Sequence, residues 1–200
     1  MAEFVQLLFN GLVAGSIFGI AALGISLVYS VLKLVNFAAG DFLTLGAFTT
    51  FFFATNNHLP FFVAVLLSML LGVAISLILE FMIWRKLRKT GAGMLALFLV
   101  ATGVAFVLRQ SIALIFGSNS RKFDIDQIKT FEFLGAQIAQ AQLAVLCCAS
   151  VAITVNALFI KKSTIGKNMR AYSDNPSLAS VSGINVDRVI IATWIISGAF

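Results

Sequence analysis

Few residues of this chain could take part in chemistry, and their placement matters more than their number. Asn36 and Asp41 stand close together, separated by Phe37, Ala38, Ala39 and Gly40, between two apolar segments. Amide and ionised side chains beside hydrocarbon are costly unless they face a cavity, a partner or a broken helix end. Gly40 permits non-helical backbone, which is tolerated at membrane depth only where it is buried in protein or lines water. Two readings follow. In one, Asn36, Gly40 and Asp41 mark a discontinuous helix entrance beside a translocation path. In the other, they form a surface connection whose Asp41 favours the first turn of a helix through its dipole. Glu80 and Arg109 are the other charges inside apolar segments. Glu80 precedes a basic cluster and is expected to pair with Arg85 or Lys86. Arg109, close to the end of its segment at Phe116, is expected to snorkel outward.

The familiar reactive arrangements are missing from the sequence. Gly166-Lys167 is followed by Asn168 and lacks the earlier glycine of a phosphate-binding loop. There is no HExxH, nucleophile elbow or paired-carboxylate arrangement. His58 is a lone histidine in a polar turn. Cys147 and Cys148 are adjacent in an apolar run, where neither an unstrained disulfide nor a metal cluster is expected. The chain is therefore not expected to be an enzyme, and any ATPase driving it would be a separate subunit.

Those few polar groups must be positioned by membrane helices. Hydrophobic residues make up 60% of the 200 and charged residues 11%, against roughly 45–50% and 25% in soluble domains. A spanning helix needs about 20 mainly apolar residues for a hydrocarbon core of roughly 30 Å. Residues 4–32, 34–55, 61–84, 94–116 and 141–160 meet that need, and a sixth apolar run, 189–200, is too short to cross. The reading is an all-α polytopic bundle, one transmembrane domain over 1–200, with about five full spans and an unfinished sixth. No basic n-region of a cleavable signal peptide precedes the first span. Gly11, Gly15 and Gly19 recur at four-residue spacing in it and predict a helix-packing face.

The net charge of +6 follows the membrane rather than a nucleic acid. Alternating sides places Lys33, Arg85, Lys86, Arg88, Lys89, Lys161, Lys162, Lys167, Arg170 and Arg188 together. Only Arg121, Lys122 and Lys129 fall opposite. The basic side is cytosolic by the positive-inside rule, so the N-terminus is outside. Trp84 and Tyr29 fall near cytosolic helix ends, where amphipathic rings prefer to sit.

The cytosolic stretch 161–188 carries its own pattern. After Asp174, Asn175 suits an N-cap, Pro176 the first helical position, and Gly183 the residue just past the end of a helix over 177–182. About two turns of helix are not stable alone in water. The segment must dock on the membrane helices or on a partner through Leu178, Ala179 and Val181, unless it is an ordinary capped surface helix.

Two stretches give the chain a recognisable likeness. Asn36-Phe-Ala-Ala-Gly-Asp41, followed by Gly46-Ala47, is close to an Asn-Phe-Ala-His-Gly-Glu pattern. Gly166, Arg170, Ala171, Asn175, Pro176, Ala179 and Gly183-Ile-Asn-Val-Asp-Arg-Val189 match a second one. In both, the chain resembles the LivH-type permeases, the branched-chain amino acid subunits of bacterial ABC importers. Ala39 and Asp41 replace the family's His and Glu, Lys167 its first Arg, and Glu80-Phe81 its Glu-Arg. The resemblance implies a pore of two homologous permease chains in the bacterial inner membrane, with cytosolic ABC ATPases that bind the ATP and a periplasmic binding protein that delivers substrate. It also implies that Asp174, Asn175, Pro176, Ser177, Leu178, Ala179, Gly183 and Ile184 form the ATPase-coupling element. A permease for urea or short amides is the alternative within the class. An ion-coupled secondary transporter would need membrane carboxylates or an inverted repeat, and Asp41 is the one candidate.

Overall fold

The computed structural model describes residues 2–117, 130–133 and 136–200. The chain starts with α1, Ala2–Leu32, and reverses through Lys33–Ala38 into α2, Ala39–Phe51, which ends in a π-helical turn, Phe52–Asn56. Helix α3, Phe61–Leu79, runs through a second π turn, Glu80–Trp84, into α4, Arg85–Lys89. Next come α5, Met94–Phe116, a two-stranded antiparallel hairpin of β1, Thr130–Phe133, and β2, Ala136–Ala139, and then α6, Gln140–Lys162. The chain continues with α7, Thr164–Asp174, α8, Pro176–Val181, and α9, Val186–Ala199.

This is an all-α polytopic membrane bundle, with the small hairpin as its one addition. Among the described residues, four helices are long and apolar enough to cross a membrane: Glu3–Leu32, Phe61–Lys89, Met94–Phe116 and Gln142–Lys162. Helix α2 starts at Ala39, because Lys33 sits in the left-handed region at φ 53° and ends α1. The basic residues Arg121, Lys122 and Lys129 lie outside the described residues.

Helix α9 is inserted between α1 and α3, while α2 packs on α3, α5 on α2, and α6 on α1. Its contact with α3 is close. A Cβ placed on Gly72 would run into the Gly198 carbonyl. One turn on, the Ser76 hydroxyl donates to the Trp194 carbonyl at 3.0 Å and bonds back to Val73 O at 2.8 Å. Between apolar helices in lipid there is little hydrophobic drive, so close approach and such hydrogen bonds hold the pair. The buried row on this face is Ala64, Ser68, Gly72, Ser76, Glu80 and Trp84, one residue in four. An every-fourth row drifts around a straight α-helix of 3.6 residues per turn. The wider π turn at Glu80–Trp84 takes back part of that drift and keeps Trp84 on the buried face.

Two expectations are corrected here. Trp84 is not an interfacial ring: it is 1% exposed and stacks on Trp194, with ring planes 9° apart and centroids at 6.1 Å. The glycines of α1 are not the tight seam either. A Cβ at Gly11 or Gly15 would meet nothing within 4 Å, and at Gly19 only the Ile153 side chain at 3.7 Å.

A membrane ion pair and a short helix capped at both ends

The turn between α1 and α2 is built around Asn36. Its side-chain oxygen accepts from the Ala38 backbone N–H at 3.2 Å, which stands in for a helical bond where the chain is not yet helical. Asn36 is buried and borders a narrow crevice among α1, α2, α3 and α9, with Gly24, Ser76, Trp194 and Ser197 among its walls. Its cavity volume is about 20 Å³, room for about one water molecule. The Trp194 indole N–H, buried nearby, has no hydrogen-bond partner among the described residues. Gly40 is exposed, and nothing lies within 4 Å of a Cβ built on it.

Asp41 faces another way. Its Oδ1 accepts from Arg109 Nε at 3.0 Å, across 68 residues of sequence, and joins α2 to α5. The carboxylate is buried and its Oδ2 has no partner among the described residues, while the Arg109 side chain is 63% exposed. Arg109 therefore does not snorkel alone, because it is tied to the carboxylate. Phe37 against Phe98 and Phe48 against Phe116 line the same α2–α5 seam below and above the pair, at centroid distances of 4.9 and 5.4 Å.

Glu80 is also paired, though not with Arg85 or Lys86. Its Oε1 accepts from Arg88 Nη2, and its buried Oε2 is unpartnered among the described residues. Two turns of helix separate the partners, and the π turn between them sets the reach. Arg85 instead bridges to Asp187 at 3.2 Å, on the first turn of α9, and lies over the Phe81 ring at 5.9 Å.

At the end of the bundle that carries Lys33 and the Arg85–Lys89 cluster, α7 is fastened under the helices. Ser163 caps it by accepting from Gly166 N, Met169 is buried against Leu27, Val31 and Val189, and Ser173 Oγ donates to Ser30 O at 2.8 Å. Helix α8 then starts with Asn175, whose side chain accepts from Leu178 N at 3.0 Å, and with Pro176 in the first turn. It ends where Gly183 takes φ 82°. There Gly183 N–H donates to Ser180 O and Ile184 N–H to Ala179 O, the paired bonds of a Schellman end. Ala179 is buried and Ile184 packs beside Met169. Leu178 and Val181 point away from the bundle, 64% and 88% exposed. Asp174, Asn175, Pro176 and Ser177 are exposed on the same tip.

The eight residues that the resemblance singles out thus lie along α8 and its two ends. Asn36 and Asp41, five residues apart, are turned to different neighbours. Sequence reasoning missed Arg109 as the partner of Asp41, and it missed the α3 seam. The seam did carry a sign, small residues at every fourth position from Ala64 to Ser76.

The family described as "Branched-chain amino acid transport system / permease component" matches residues 7–200. Among similar proteins, the high-affinity branched-chain amino acid transport system permease protein LivH of Salmonella typhimurium is 25% identical over 98% of this chain and 67% of its own length. BraD of Pseudomonas aeruginosa, of the same description, is 26% identical over 98% of this chain and 68% of its own. A probable LivH of Methanocaldococcus jannaschii is 25% identical over 97% and 62%. No solved structure matches significantly. With one family spanning all but the first few residues, the chain belongs to the permease components of branched-chain amino acid transport systems.

Proposed function

We propose that this chain is a pore-forming subunit of an ATP-driven importer of branched-chain or other neutral amino acids in the bacterial inner membrane. A second homologous permease chain completes the pore, a periplasmic binding protein delivers substrate, and cytosolic ABC ATPases bind and hydrolyse the ATP. The relatives' names support the substrate class. The observation that carries the coupling role is α8. It is a helix capped at both ends, held to the bundle by Ala179 and Ile184, that leaves Leu178 and Val181 exposed to the cytosol. Exposed apolar side chains on a short, well-capped helix form a knob for a groove on a partner. Closure of the ATPases on nucleotide would push on α8. Motion would pass through the α7–α1 contacts and through the Arg85–Asp187 bridge to α3 and α9.

The path follows the start of α2, with Gly40 and Asp41 on it and Asn36 holding the break at its inner end. Replacing Pro176 or Leu178 with Asp tests the coupling role. The variants are expected to insert normally and to lose ATP-coupled leucine uptake by about tenfold or more, as expected for disrupting a buried interface anchor. Unchanged uptake would overturn it.

A further inference from the structure

Arg109 is more than a counter-ion to Asp41. Its Nε is held by the carboxylate, so the edge bearing the two terminal nitrogens is turned away from Asp41. Those nitrogens have no partner among the described residues. Arg109 stands seven residues before Phe116, about 10 Å below the outer end of α5 at 1.5 Å per residue. Gln110 beside it is exposed too. Across the seam, Gly40, Thr44 and Ala47 make an exposed face of α2 that is small and lightly polar. A guanidinium with four unbonded N–H groups does not rest in hydrocarbon, and within a membrane it faces water or an anionic partner. Asp41 removes the net charge and fixes the plane of the group, leaving a free fork whose geometry fits a carboxylate through two parallel bonds.

We infer that Arg109, positioned by Asp41, lines the translocation path and takes the α-carboxylate of the passing amino acid. This rests on the transport reading above and deepens it by naming a substrate contact. The part of the substrate recognised is the group that all amino acids share, and the side chain is left to the apolar surroundings, such as Phe106. The Asp41 carboxylate holds Arg109 Nε at 3.0 Å, so Asp41 is a positioning residue and Arg109 the contact.

The experiment uses the complete transporter in proteoliposomes, with Cys147 and Cys148 replaced by Ala and Arg109→Cys added. A membrane-impermeant cationic thiol reagent is expected to label position 109, and millimolar leucine is expected to slow that labelling severalfold. Leucinamide, which lacks the carboxylate, is expected to protect Arg109-bearing function poorly: it competes with leucine uptake in the unaltered transporter at least about tenfold less well, the factor that one charge-assisted contact supplies. Arg109→Gln is expected to lower leucine moved per ATP hydrolysed by a similar factor. Arg109→Lys is expected to recover part of the loss. A position 109 closed to the reagent, as in a lipid-facing or subunit-buried side chain, would overturn the inference. So would Arg109→Gln with unaltered uptake per ATP. Leucine uptake by the unaltered complex reads the transport proposal separately, because it does not depend on any change at 109.

Discussion

At the scale of residues, the side chains that matter sit where a substituent has no room or where a polar atom has one partner. Gly72 illustrates the first kind. Its Cβ position is taken by the Gly198 carbonyl, so Gly72→Val is expected to force α3 and α9 apart. The cost is about 1–3 kcal/mol, read as a lower melting temperature of the purified protein in detergent. Gly15→Ala, facing open space, is expected to change stability by less than about 0.5 kcal/mol. Ser76→Ala removes the one side-chain bond to the Trp194 carbonyl and is expected to cost about 0.6–2 kcal/mol in the same assay. Asp41 and Arg109 are of the second kind. Nothing in the periodicity of α2 or α5 relates two positions 68 residues apart. Their pairing became visible only once the helices were neighbours.

Among elements, α8 tests the link between local structure and coupling. Asn175→Ala removes the N-cap and is expected to weaken the helix by about 1 kcal/mol, whereas Asn175→Asp keeps it, because Asp caps equally well. The expected readout is leucine uptake per ATP hydrolysed, lowered by Ala and near normal with Asp. Equal loss with both would mean that the Asn amide has a direct contact and that capping is not its role. This helix was legible in sequence because its determinants are local: a cap, a proline and a glycine at fixed offsets. The π turn at Glu80–Trp84 was not legible in the same way. It reflects the demand of a tertiary seam, and it moved Trp84 from an expected interfacial site into the core and gave Glu80 to Arg88. The glycines of α1 show the converse, a packing motif that finds no close neighbour within this chain at Gly11 and Gly15.

For the whole molecule, hydropathy and charge placement made the membrane bundle readable, since they report on solvent and not on neighbours. The insertion of α9 between α1 and α3 depends on contacts between the two ends of the chain, and no sequence pattern states it. The topology predicts that an impermeant thiol reagent added outside sealed, right-side-out vesicles labels Asn57→Cys and spares Ser182→Cys. Inverted vesicles should reverse the result. The central claim is transport driven by a separate ATPase. The most direct measurement is radiolabelled leucine accumulation in proteoliposomes that contain this chain with its partner permease, ATPase and loaded binding protein. The account predicts uptake that requires ATP on the ATPase side and stops when Leu178→Asp is introduced. Uptake that persists without ATP and follows a proton or sodium gradient would contradict it.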